Sequence, residues 1–366
     1  MAERVMSLDQ TASSATGQGP LPPRRRGALE RWAAFLLRRL LWGVVVLLAI
    51  ATVTFFLTHY VPSDPAVYLA GPSATTEVVN RIREQFGLDQ PVYVQYFRYM
   101  ASLARGDLGT SLFTKRPVFE DLARSLPVTL GLIVPAFVVY VVVAGCLGCV
   151  AAYSAGKARG VLVQVFTMIA SAAPVYWVAL VLQFLFFYSI PILPSGGQHS
   201  LTLPGPTTIT HIDWLDSVLT GNVPALADAL WHLVMPTTAI VLGLLAVGTR
   251  LMAGAVQDEL GKIYVRTARG KGLPERTILL KHVLRASINP FVTVTGIQFG
   301  YLITYTILVE VVFTWPGMGY YLEQCIQIND YAPLIGVTMV AAAGFVLISV
   351  VSDIIYSLVD PRIELA

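Results

Sequence analysis

The sequence predicts an all-α integral membrane protein that crosses the bilayer six times. Three observations predict it. Of 366 residues, 55% are hydrophobic and 13% charged, with a mean hydropathy of +0.66; a soluble domain carries about 25% charged residues. Six segments reach the roughly 20 apolar residues that a helix needs to cross a hydrocarbon core about 30 Å thick. Lys and Arg cluster between those segments on alternate sides, as positive-inside placement requires.

The tail 1–30 is rich in Ser, Thr, Gly and Pro and is predicted to be disordered. The first span, Leu40 to His59 within segment 31–60, is longer than a signal-peptide core. No small-residue cleavage site is evident, so it reads as an uncleaved anchor. Residues 61–125 form an extracytoplasmic segment. Residues 126–366 then carry the other spans: Leu126 to Tyr153, Val161 to Ile190, His232 to Met252, Ile288 to Phe313 and Leu334 to Leu358.

Arg24, Arg25, Arg26, Arg31, Arg38 and Arg39 precede the first span, and Lys157 and Arg159 follow the second. Lys262, Arg266, Arg269, Lys271, Arg276, Lys281 and Arg285 fill the loop 258–290. Neither Pro191 to Trp231 nor Thr314 to Tyr331 holds a Lys or Arg. Both termini and the loop 258–290 are therefore expected on the cytoplasmic side.

Several function classes are excluded or weakened. A net charge of +3 gives no reason to expect nucleic acid. Three cysteines are too few for a disulfide framework. Cys146 and Cys149 lie in an apolar span with no His or further Cys to complete a metal site, so they read as small apolar residues on one helix face. No metal site and no catalytic constellation is expected. Gly270-Lys271-Gly272 lacks the spacing and the Ser or Thr of a phosphate loop, so the chain has no ATPase site of that kind. The ionisable residues His59, His232, Arg250, Glu310 and Asp353 all fall near span ends, within reach of polar surroundings. The absence of mid-membrane charge argues against ion coupling through carboxylate relays.

The loop 258–290 carries the functional signal. Gly270 and Gly272 permit a tight turn. Pro274 is placed to open a new helix at its first position, followed by Glu275. The loop therefore reads as a helix of about ten residues, roughly 15 Å long, a glycine turn, and a second helix that meets Pro290 at the entry to span five. Its Arg and Lys residues face the cytoplasm. On spacing alone, binding to anionic lipid and docking to a protein both remain open.

From Tyr264 to Arg285 the chain resembles the EAA loop of permease subunits of ATP-binding-cassette importers, in the form that the peptide-importer branch shows. Arg266-Thr267-Ala268 stands where the family has Glu-Ala-Ala, Gly272 is its turn glycine, and His282-Val283-Leu284 matches the hydrophobic end of the motif. Gly270 departs from the Ala common there. Gly87 to Pro91 (GLDQP), Gly106 to Ser111 (GDLGTS), Glu310 to Phe313 (EVVF), Pro316 to Gly319 (PGMG), Asp353 to Tyr356 (DIIY) and Asp360 to Arg362 (DPR) look like the same branch's B-type subunit. The tail and the loop Ser195 to Trp231 lie outside the pattern.

The resemblance implies a six-helix permease of the type I importer kind with a cytoplasmic coupling helix. It implies that Tyr264, Arg266, Thr267, Ala268, Arg269, Lys271, Gly272 and Leu273 couple to an ATPase. It further implies a second homologous permease in a heterodimer, two ATPase subunits or one fused ATPase that bind ATP-Mg, and an extracytoplasmic substrate-binding protein. By the same resemblance, the chain is expected to bind no cofactor itself and to move di- or oligopeptides across the cell inner membrane. Relatives that carry nickel or another small solute keep that alternative open. An ATP-independent channel or secondary transporter is an alternative of another class. A membrane-anchored enzyme or receptor built on 61–125 is a third, and that segment is marginal as an independent core.

In span five, Gly296 and Gly300 form a close-packing face. At about 100° per residue, Gln298, Tyr301 and Tyr305 lie roughly opposite, with Thr295 at the edge. These four are the candidate translocation path; hydrogen bonding within the bundle is the competing reading. Glu310 is either an outer gate or an interfacial structural charge beside Trp315. Pro135 and Pro174 are expected to kink spans two and three.

Overall fold

The computed structural model describes residues 28–60, 74–86 and 89–359. The expectations placed on residues 1–27 of the tail, on Gly87 and Leu88 of the GLDQP motif, and on Asp360 to Arg362 lie outside the described residues. So do the side chains of His59 and Asp353. Residues 28–30, expected in the disordered tail, are the start of the first helix.

The chain is built of helices. Helix α1 (Ala28–Tyr60) is followed by the short α2 (Thr76–Phe86) and α3 (Val92–Ala104). Then come α4 (Val118–Tyr153), α5 (Ala158–Ala172) and α6 (Val175–Gln183), the last continuing as a π-helical turn, Phe184–Ser189. Helix α7 (Asp213–Thr220) precedes the long α8 (Val223–Leu260). The short α9 (Ile263–Gly270), a helical turn Glu275–Thr277 and a π-helical turn Ile278–Val283 lead into α10 (Leu284–Val312). Helices α11 (Met318–Gln327) and α12 (Tyr331–Val359) close the described chain.

Five of these helices, α1, α4, α8, α10 and α12, are long and apolar enough to cross a membrane alone. The third expected span is not one helix. It is the pair α5 and α6, bent by 97°. Proline explains the break. Ala173 is extended, at φ −88 and ψ 145, because a residue before proline avoids the helical region. Pro174 then has no N–H to continue the ladder. Span two also starts earlier than expected, at Val118, so α4 runs through the boundary drawn at residue 125.

Pro135 sits inside the continuous α4. It leaves the Gly131 carbonyl without its helical donor, and the Trp214 indole N–H supplies one at 2.9 Å.

Helix α8 is the axis of the bundle, packed against α4, α5, α6, α7 and α10. Its small residues allow the approach. At Gly248 a Cβ would stand 2.5 Å from the Tyr140 hydroxyl and 2.9 Å from the Ala144 Cβ on α4. One turn on, Gly148 of α4 faces Met252. Hydroxyls tie the axis to its neighbours. Ser171 of α5 donates to the Leu242 carbonyl at 2.8 Å and accepts from the Ala246 N–H at 3.1 Å. It thus stands between the two groups that a helix would pair, just before the α5–α6 elbow. Ser287 of α10 donates to the Ala255 carbonyl at 3.2 Å.

Helices α1 and α12 pack against each other at the periphery, and α12 also meets α10. There Gly296 faces Ser352 and Gly300 faces Phe345, so these glycines do form a packing face.

Replacing Gly248 with Ala should lower the thermal stability of the solubilised protein by about 1–3 kcal/mol, the usual cost of overpacking. Adding Tyr140→Phe to Gly248→Ala removes the nearer obstacle and should recover part of that loss.

Candidate functional site

The loop between α8 and α10 has a defined geometry. Helix α9 is amphipathic: Val265 and Ala268 are buried in the main core with Ile278 and Val283 of the following segment, while Arg266, Thr267, Arg269 and Lys271 are exposed. Eight residues make it about 12 Å long.

The turn is a Schellman motif. The Gly272 N–H reaches the Arg269 carbonyl at 2.9 Å and the Leu273 N–H reaches the Ala268 carbonyl at 3.2 Å, with Gly272 at φ +76. A left-handed residue here explains glycine, because a Cβ costs about 1–2 kcal/mol in that region. Gly270 lies within the helix in open space, so it has no such requirement. Pro274 caps the following helical turn at φ −65 and ψ 141 rather than opening it, and Glu275 is the first helical residue.

Two polar contacts hold the loop at its ends. The Tyr264 hydroxyl donates to Glu259 at 2.7 Å, and Lys262 meets the same carboxylate at 2.5 Å. Burial, and then the bond to Glu259, push the Tyr264 phenol up to about 12. Across the turn, Arg269 donates Nε and Nη2 to the two Glu275 oxygens at 2.7 and 3.3 Å. This contact holds the Glu275 carboxyl below the usual carboxylate range. Sequence reasoning assigned Glu275 only to a helix dipole. Its pairing with Arg269 depends on the turn bringing residues six apart together.

The loop feeds directly into α10. From Glu275 to Val312 the chain is continuously helical, through one π-helical turn, over about 57 Å. At the far end sits Glu310. It is fully buried within the protein. Its Oε2 accepts from the Gly319 N–H at 2.6 Å, while Thr129 of α4 accepts from the Met318 N–H at 2.8 Å. Together they take two of the N–H groups that the first turn of α11 leaves without helical partners. A Cβ at Gly317 would sit on the Glu310 carboxylate. The Trp315 indole donates to the Val128 carbonyl at 3.3 Å. The Gly197 N–H caps the Phe313 carbonyl at 2.9 Å, and Gln183 Nε2 donates to the Ser195 carbonyl at 2.7 Å. The EVVF and PGMG motifs thus describe one welded joint between α4, α10 and α11. With its side chain enclosed, Glu310 presents no group to solvent in this conformation.

The segment ahead of α4 is fastened beside it. Asp330 accepts from the Ser111 hydroxyl at 2.7 Å and from the Leu112 N–H at 2.6 Å. Asp121 accepts from the Tyr321 hydroxyl at 3.0 Å and pairs with Arg116 at 2.9 Å. In the loop Ser195 to Trp231, Asp216 is buried. Burial opposes its charge, but the Thr210 hydroxyl and the N–H groups of Ile209 and Thr210 outweigh it and hold the carboxyl below its usual range.

The four path candidates on α10 do not share one surface. Thr295 is buried and donates to the Phe291 carbonyl at 2.6 Å. Gln298 is buried as well. Tyr305 is half-buried against Gly243 of α8, and Tyr301 is 55% exposed.

A bundle of apolar spans, with a basic, turn-locked loop continuous with one core helix, defines a membrane permease subunit. The chain belongs to the family described as the binding-protein-dependent transport system inner membrane component, whose model matches residues 144–365; the model of that family's N-terminal part matches residues 32–133. It is 37% identical over 329 residues to a probable D,D-dipeptide transport system permease protein of Escherichia coli (strain K12), covering 90% of this chain and 97% of that one. A dipeptide transport system permease protein of Alkalihalophilus pseudofirmus is 32% identical over 331 residues (90% and 99%), and a glutathione transport system permease protein of Salmonella typhimurium 31% over 330 (90% and 98%).

Replacing Gly317 with Ala should unseat the Glu310 cap and cost about 1–3 kcal/mol in thermal unfolding. Glu310→Gln keeps an acceptor oxygen and should cost less than Glu310→Ala, which leaves the buried Gly319 N–H without a partner.

Proposed function

We propose that this chain is the permease subunit of an ATP-driven importer that carries di- or oligopeptides inward across the cell inner membrane. The observation that supports it best is the loop: α9 is short, exposed on its basic side, and joined by a Schellman turn to the helical run Glu275–Val312, about 57 Å long, that includes α10. A push on α9 moves that helical run. The peptide cargo rests on the names of the relatives and on the order of motifs from Gly87 to Arg362. Nickel or another small solute is the neighbouring reading.

In this reading the basic loop faces the cytoplasm and both termini lie there, on the distribution of Lys and Arg. Tyr264, Arg266, Thr267, Ala268, Arg269, Lys271, Gly272 and Leu273 form the contact with an ATPase subunit. Two ATPase units, or one fused chain, bind ATP-Mg. A second homologous permease completes the pathway, and an extracytoplasmic binding protein delivers the cargo. The chain performs no bond chemistry. ATP binding favours one access state through the contacts that α9 makes in that state.

Charge reversal at Arg269 or Lys271, or Gly272→Val, should leave the protein inserted but separate ATP hydrolysis from peptide uptake in reconstituted vesicles. Gly270→Ala should leave uptake intact. Normal uptake in all three disruptive variants would show that the loop is not the coupling element.

Tyr301 is the path candidate already exposed in this conformation, and Gln298 is the one that must be uncovered. A water-soluble thiol reagent should label Tyr301→Cys, and should label Gln298→Cys in only one nucleotide state. If both positions stay unlabelled in every nucleotide state, α10 does not line the path.

A further inference from the structure

Helix α3 takes no part in the transport reading, yet its placement is specific. Its Tyr96 hydroxyl lies 2.9 Å from the Thr52 hydroxyl of α1. Tyr99 stacks on Phe55 with centroids 5.4 Å apart, and Tyr96 stacks on Phe56 at 5.9 Å. Thr52 and Phe55 belong to the apolar span of α1, which runs Leu37–Leu57. At about 1.5 Å per residue, Thr52 lies about 7.5 Å inside the end of that span. So α3 meets α1 at the depth of the interfacial zone, not above it.

Around its axis, at about 100° per residue, α3 shows three sectors. Tyr96 and Tyr99 mark the side on α1. Tyr93 and Phe97 stand about 110° away and are 66% and 68% exposed. Arg98 and Arg105 mark the third sector, both exposed. Val53, Phe56 and Leu57 of α1 are exposed as well, so the apolar surface of Tyr93 and Phe97 continues the lipid-facing surface of a membrane span. Aromatic rings with a polar edge suit the headgroup level, and an amphipathic helix rests with its apolar face about 5–10 Å into that zone.

We propose that α3 lies in the membrane interface beside α1, with Tyr93 and Phe97 against the acyl boundary and Arg98 and Arg105 toward lipid phosphates. The occupant of the exposed aromatic sector is the bilayer surface itself. Such seating anchors the segment ahead of α4 to the membrane plane, and it goes beyond the transport reading because it needs neither the ATPase nor the cargo.

The test is spin labelling of the full chain in vesicles of equal parts phosphatidylcholine and phosphatidylglycerol. Tyr93→Cys, Phe97→Cys and Arg98→Cys are made singly in a background with Cys146, Cys149 and Cys325 replaced by Ala. Labels at 93 and 97 should be relaxed several-fold more by oxygen than by a water-soluble nickel chelate, with the order reversed at 98. Equal nickel access at all three positions would overturn the proposal by placing the face in water. Exclusion of both relaxants from 93 and 97 would overturn it by placing the face against protein. If the cysteine-free background does not fold, benzoylphenylalanine is placed at Phe97 in the otherwise native chain and photolysed in the same vesicles. A phospholipid adduct supports the proposal; a protein adduct alone, or none, overturns it.

Discussion

The close approach of α8 to its neighbours is the constraint on which the rest of the bundle depends. Between helices in lipid, tails are as apolar as side chains, so association draws on packing and a few hydrogen bonds rather than on exclusion of water. Gly248 against Tyr140, Gly148 against Met252 and Gly243 against Tyr305 let backbones approach where larger residues would hold them apart. Ser171 and Ser287 then bond to α8 carbonyls. With α8 fixed, α4 and α10 are fixed on either side, and the two ends of the molecule can be built on them.

Those two ends obey a second rule: a backbone group in or near the hydrocarbon must find a partner within the protein. Each end does so differently. At the loop end, a Schellman turn at Gly272 closes α9 and returns the chain into α10. At the other end, the Gly197 N–H takes the Phe313 carbonyl just past α10, and two N–H groups at the N-terminus of α11 are taken by Glu310 and Thr129. Helix α10 therefore runs between two hydrogen-bonded joints. The bundle's sharp bend lies elsewhere, at the α5–α6 elbow, with the Ser171 hydroxyl set between Leu242 and Ala246 of α8 beside it.

Much of this was legible in the residues. Apolar run lengths located the spans, since length in lipid is set by bilayer thickness. Gly272 was legible as a turn because φ near +76 is a property that glycine supplies locally. Pro174 was legible as a disturbance but not as a 97° bend, because bend size depends on what packs on each side of the break. The stripe on α10 was drawn by angle, and angle does not say which neighbour covers which residue. Thr295 and Gln298 are covered within this chain, and Tyr301 is not.

Glu310 shows the division most sharply. The sequence by itself determined that a carboxylate stands near the end of a span, beside a tryptophan and ahead of Pro316-Gly317-Met318-Gly319. Interfacial exposure followed from that position alone. Only the tertiary structure decided that α11 folds back over the residue, that Thr129 from α4 shares the cap, and that the missing Cβ of Gly317 makes the space. The physical reason is reach. Span length, charge bias and turn chemistry are local and can be read along the chain. The residues that close over a buried polar group come from nine residues on at Gly319 and from nearly two hundred back at Thr129, and packing alone selects them.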